Sequence, residues 1–191
     1  MMSSFKADFI IVKGGCDVNL YDPKTHILEL ECNDFYEGLP EKIVKTYAFI
    51  NQNMLFDQYL HICKLDEDMI IHKLLDVHTL GDYCGTIQSN DGNRRWHIGR
   101  CSAGCRFNDE EYKGIFVPWC KGGYGYVLSK YALGKIATDS SYYDEIYEDL
   151  YIGKILHINN VFPKHISDFY KYISSPEHSS TGGEYALLDD L

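Results

Sequence analysis

Asp66, Glu67 and Asp68 follow directly on YLHICKL, the apolar run of residues 59–65. A buried strand there keeps Leu65 in the core and ejects the acids at its carboxyl end, where open α/β sheets bind their ligands. Adjacent acids repel one another unless a cation or hydrogen-bond donors compensate. Hard oxygen ligands of this kind suit Mg²⁺ or Mn²⁺ bridging a diphosphate. The competing reading is a solvated acidic turn, since the pattern is short and Asp is common in turns. A second pair, Glu148-Asp149, opens the segment EDLYIGKIL. Acids at a helix start complement the helix dipole and by themselves signal little.

The turn KGGYG (residues 121–125) has neither the order of a P-loop nor that of a dinucleotide fingerprint. Its glycines, Gly122 and Gly123 among them, serve a tight turn or a close backbone approach to a ligand. Cys101 and Cys105, taken with Cys84 and Cys120, have irregular spacing and no matching histidine cluster, so free thiols are expected rather than a zinc site. Seven cysteines, an odd number with no secretory core ahead of them, fit a reducing compartment.

The elements that must position these groups are read from periodicity. Residues 8–13 (DFIIVK) read as a buried strand stopped by Gly14 and Gly15, and residues 26–31 (HILELE) alternate as a second strand. Pro40, Glu41 and the apolar positions Ile43, Val44, Tyr47, Ala48, Ile50 and Met54 predict an amphipathic helix from Leu39 to about residue 55. A strand over 59–65, a helix over about 70–78 and a strand over 82–87 come next. Residues 94–98 are expected as an antiparallel strand, 112–119 as strand-like, 126–137 as a helix and 147–157 as a further helix. This rhythm predicts an α/β fold with a central, mostly parallel mixed sheet flanked by helices. Residues 1–173 are expected as one domain, with 174–191 as a mobile tail.

The 191 residues are 45% hydrophobic and 24% charged, which is globular composition. A net charge of −10 argues against a nucleic-acid partner, which needs a basic surface. No apolar run is long enough for a membrane span or a signal core, so no membrane span and a cytoplasmic location are the expectation. Sixteen tyrosines with nine phenylalanines and two tryptophans offer flat faces on which sugars stack, or simply fill the core.

Five blocks, in order over roughly residues 30 to 155, resemble the beta-1,3-galactosyltransferase and Fringe type of glycosyltransferase, family 31. Residues 33–42 (NDFYEGLPEK) resemble its DFxDxYxNLTxK segment, and 64–69 (KLDEDM) its KxDDDxF. Residues 95–98 (RWHI) resemble its KWyv, 112–129 (YKGIFVPWCKGGYGYVLS) its YPxYcxGxGYvlS, and 148–153 (EDLYIG) its EDVyvG. Pro40 replaces the threonine of the family's LT pair, and Glu67 replaces the middle Asp. A compact version without the anchor and stem of the Golgi enzymes is the expectation, which would suit a microbial or large-DNA-virus enzyme working in cytoplasm.

The resemblance implies a GT-A fold and an inverting transfer of a hexose-type sugar from a UDP-sugar to a glycan or glycoprotein hydroxyl, as a monomer or weak oligomer. It assigns Mn²⁺ or Mg²⁺ to Asp68 and Asp66, completed by His165 of the FPKH segment, with His157 as the alternative. Asp149 matches the family's base, with Glu148 second. Asp66, Glu67, Val12, Gly14, Lys42, Gly122 and Gly123 are the residues expected around the nucleotide sugar. Trp96, Trp119 and Tyr124 are candidates for stacking on sugars. Rival readings are a retaining GT-A transferase, an inactive nucleotide-sugar or carbohydrate-binding module, and a nucleotidyltransferase, the last lacking the basic triphosphate site it needs.

Overall fold

A computed structural model of the chain describes residues 8–55, 57–73, 75–89 and 92–174. Its first strands are β1 (Ile11–Lys13), β2 (Leu20–Asp22) and β3 (Ile27–Glu29). β3 is the centre of their sheet, parallel to β1 and antiparallel to β2. The alternation of HILELE is realised, because Leu28 and Leu30 are buried. The expected burial of the first strand is not: β1 is an edge strand, and Phe9 and Ile11 are exposed.

Helix α1 (Leu39–Gln52) starts with Pro40 and Glu41 in its first turn, as their chemistry demands. Val44, Tyr47 and Ile50 recur on one face and are buried. That face joins the main hydrophobic core.

The central sheet starts with β4 (His61–Lys64). After β4 come β5 (Ile70–Ile71), β6 (Tyr83–Gly85), β7 (Ile87–Gln88), β8 (Trp119–Cys120) and β9 (Tyr126–Ser129). β9 lies between β4 and β6 and is antiparallel to both, while β10 (Lys164–His165) joins β6 in parallel. The expectation of a mostly parallel sheet is therefore corrected. Parallel neighbours need a long crossover, and the described residues of 70–78 do not form the helix that would supply it: Ile70 and Ile71 are strand, and a 3₁₀ turn follows at Val77–Thr79.

Residues 126–137 are also split. Tyr126, Val127 and Leu128 are all buried, so this stretch carries no one-sided helical stripe, and it is strand. The Ser129 side chain then accepts from the Ala132 N–H and caps α2 (Lys130–Ile136). The expected strand at 94–98 is a series of turns in which Trp96, Ile98 and Arg100 N–H groups bond to carbonyls three residues back. Of 112–119 only Trp119 is strand, paired through β8 with β7; Pro118, just before it, has no N–H to offer a ladder.

Helix α3 (Glu148–Ile158) runs close to its predicted span. Its buried residues Tyr151, Ile152, Ile155 and Leu156 pack with Val44, Tyr47 and Ile50 of α1 and Leu133 and Ile136 of α2. Ser174, expected to begin a tail, is buried in β11 (Ile173–Ser174), which pairs with β5; the rest of that expected tail lies outside the described residues. The result is an α/β protein with mixed sheets. Among the described residues no helix is long and apolar enough to cross a membrane.

Candidate functional site

Strand register fixes the centre of the site. Lys64 of β4 pairs with Tyr126 of β9, Tyr126 with Gly85 of β6, and Gly85 with His165 of β10. Residues opposite one another across a ladder present their side chains to the same face, so these four positions form one row. Beyond the row β4 runs into Asp66, Glu67 and Asp68, and β9 is entered from the turn KGGYG.

The first turn of α3 closes over this row. Tyr126 donates its hydroxyl proton to Glu148 at 2.5 Å, and the Lys64 ammonium stands 3.4 Å from the same carboxylate. Lys64 also contacts Asp66 at 2.5 Å. Burial works against the lysine's charge, yet Glu148, Asp66 and Asp149 together raise its pKa above the ordinary value. Glu148 moves upward as well, mainly because its side chain is only 9% exposed, with Asp149 and Asp66 adding to the effect of burial against Lys64 and Tyr126. The pair is thus asymmetric: the lysine gathers several carboxylates, whereas the glutamate faces Lys64 and is the more deeply buried partner.

Asp149 is held differently. One carboxylate oxygen accepts from the Gly122 N–H at 2.8 Å and the other from the Leu150 N–H at 2.8 Å. The amides of an opening helix turn are free for such bonds. A Cβ on Gly122 would sit 3.0 Å from a Glu148 oxygen and 3.1 Å from the Asp149 Cβ, so glycine lets the turn lie directly against both acids. Gly123, by contrast, is exposed and has open space around it. The two glycines named from sequence are therefore unequal.

Asp66, Glu67 and Asp68 are exposed in a turn closed by the Met69 N–H donating to the Asp66 carbonyl. His165 is exposed at the end of β10, and pairing of β11 with β5 brings the chain after His165 beside the chain after Asp68. Carboxylates and an imidazole suit a divalent cation in kind. As they stand, the ligand atoms of Asp66, Asp68 and His165 are not gathered within 4.8 Å of one another, whereas those of Glu37, Cys101 and Cys105 are. His157 lies in the last turn of α3, about 13 Å along the helix from Glu148, with its ring edge-on to Phe162.

Val12 in β1, Gly14 just after it and Lys42 in α1 lie away from that row. Val12 pairs with Leu28, while Lys42 contacts Asp34 at 2.6 Å and the Asp34 carboxylate packs on Gly14, where a Cβ would meet it at 2.6 Å. Asp34 thus joins two of the residues expected around the nucleotide. Of the aromatic candidates, Trp119 is a core residue stacked on Phe116, and Trp96 is exposed beneath the Arg100 guanidinium. Tyr124 is half-buried with Lys121 over its ring.

Sequence reading assigned no role to Lys64, Tyr126 or Tyr36. The first carried a signal, a lysine two residues ahead of an acid at a strand end. The others did not: Tyr126 reaches Glu148 only through sheet register, and the Tyr36 hydroxyl, pushed up by burial against the opposing effect of Arg100, feels Asp149 only in the folded chain. No model of a known protein family matches this chain and no curated protein matches it in sequence, so its chemistry is argued from its own residues.

Proposed function

We propose that the protein is a metal-dependent, inverting glycosyltransferase of the GT-A type, moving a hexose-type sugar from a UDP-sugar to a hydroxyl of a glycan or glycoprotein. One observation carries the reading. The acid-bearing end of β4, the glycine turn and the first turn of α3 meet through Lys64, Glu148, Asp149 and Gly122. Such a meeting puts phosphate-side chemistry and a base beside one another.

In this mechanism Asp68 and Asp66, completed by His165, are the residues that would hold Mn²⁺ or Mg²⁺. The ion, when bound, supplies Lewis-acid stabilisation of the charge that builds on the departing UDP. Lys64 adds a fixed positive charge at the same strand end, anchored by Glu148. Asp149 acts as the base: its two backbone N–H donors orient the carboxylate, and its remaining lone pairs take the acceptor's hydroxyl proton as that oxygen attacks the anomeric carbon. Gly122, lying directly against both acids, donates the N–H that fixes the direction of the Asp149 carboxylate.

The test is a panel of UDP-sugars with Mn²⁺ or Mg²⁺, followed by nuclear magnetic resonance of the released or transferred sugar. Metal-dependent turnover with inversion at the anomeric carbon is expected. Retention would remove Asp149 as base, and absence of both turnover and UDP binding would overturn the reading altogether.

A further inference from the structure

We propose that Cys101, Cys105 and Glu37 form a zinc site that shares no residue with the Lys64, Glu148 and Asp149 cluster. Two thiols and one carboxylate place their ligand atoms within 4.8 Å of one another. Zinc bound to sulfur at about 2.3 Å and to oxygen at about 2.1 Å sets tetrahedral donors about 3.6–3.8 Å apart. The spread of the three ligand atoms, at most 4.8 Å, exceeds these separations by about 1 Å at most.

The chain assembles this set from distant parts. Glu37 sits in the 3₁₀ turn Tyr36–Gly38 that leads into α1. Ser102 donates to its carboxylate from both backbone N–H and hydroxyl, the kind of outer hydrogen bonding that orients metal ligands. Cys101 and Cys105 are brought together by a turn in which the Cys105 N–H donates to the Ser102 carbonyl and Gly104 takes φ of 80°. Spacing of cysteines and histidines missed the site because its third donor is a glutamate 64 residues before the first thiol.

Thiolate donors select zinc over the hard ions that carboxylates alone would take. Glu37 and Cys105 both line a cavity of about 280 Å³ that also touches Arg106 and Tyr142. Three protein ligands with a fourth position open to a cavity is the arrangement of a zinc that carries water or a small ligand. On coordination each thiol exchanges its S–H bond for a Zn–S bond and gives its proton to solvent. The ion also pins residues 94–108, a segment of turns, to the entrance of α1.

The test uses the full chain, purified under reducing conditions, stripped of metal, and titrated with Zn²⁺ and with Co²⁺ as a coloured substitute. One zinc per chain is expected, retained against excess Mn²⁺ or Mg²⁺, with thiolate-to-cobalt charge-transfer absorption. Cys101→Ser and Cys105→Ser abolish it, Glu37→Gln weakens binding about tenfold or more, and Cys63→Ser leaves it intact. No zinc uptake by the unaltered chain, a cobalt spectrum without thiolate bands, or uptake unaffected by both cysteine variants overturns the proposal. The spectrum of the unaltered chain decides the matter even where a variant fails to fold.

Discussion

The Lys64 ammonium lies 3.4 Å from the Glu148 carboxylate, so the last residue of β4 and the first of α3 are an ion pair. Its side chains are 17% and 9% exposed, which places the pair away from the screening that makes surface pairs weak. Removing one partner from such a pair leaves a buried charge. Lys64→Met is expected to lower unfolding stability by about 3 kcal/mol, read as a fall in the urea midpoint. A loss below about 1 kcal/mol would show that the pair is effectively solvated.

Glu148 holds its proton to higher pH in the folded chain than its ordinary value of 4.5 allows. Between 4.5 and the folded pKa the native state binds more protons than the unfolded one. Stability therefore falls as pH rises through that window and is flat with respect to this group above it. In Glu148→Gln the fall just above pH 4.5 is expected to be shallower than in the parent chain. Parallel denaturation curves through that window measure the difference, and coincident slopes would refute the shift.

The two aspartates of the proposed mechanism separate by readout. Asp149→Asn is expected to keep UDP binding while cutting transfer by about two to four orders of magnitude, the typical worth of a general base. Asp68→Asn is expected to remove the Mn²⁺-dependent part of UDP binding in calorimetry. If Asp149→Asn turns over normally, or Asp68→Asn binds UDP with unchanged metal dependence, the corresponding role is withdrawn.

Gly125 takes φ of 80°, and a Cβ there would lie 2.7 Å from Leu65 Cδ2 and 2.9 Å from the Lys64 carbonyl oxygen. The second of these is backbone and cannot swing away. Gly125→Ala is expected to cost about 1–3 kcal/mol and to displace the end of β4. Gly123→Ala, which meets nothing within 4 Å, is the control and should leave the denaturation midpoint nearly unchanged.

Helices α1 and α3 were legible because each carries its own start signal and a buried stripe at helical spacing: Pro40 and Glu41 ahead of Val44, Tyr47 and Ile50, and Glu148-Asp149 ahead of Ile152, Ile155 and Leu156. Residues 126–129 misled for the opposite reason. A run buried on both faces has no period, so Tyr126, Val127 and Leu128 read equally as helix or strand until Ser129 caps α2. Ile70 and Ile71 misled for a different reason: both are exposed, and they are strand only because they pair with Ser174 and Ile173, far along the chain.

By itself the sequence determined which acids stand at a strand end and which at a helix start, because both are local matters of burial and capping. Tertiary structure alone decided that Lys64 joins Glu148, that Gly122 donates to Asp149 and that Glu37 meets two thiols. Those pairings are set by strand order and register, which depend on how distant segments share one core, and no short stretch of chain encodes them.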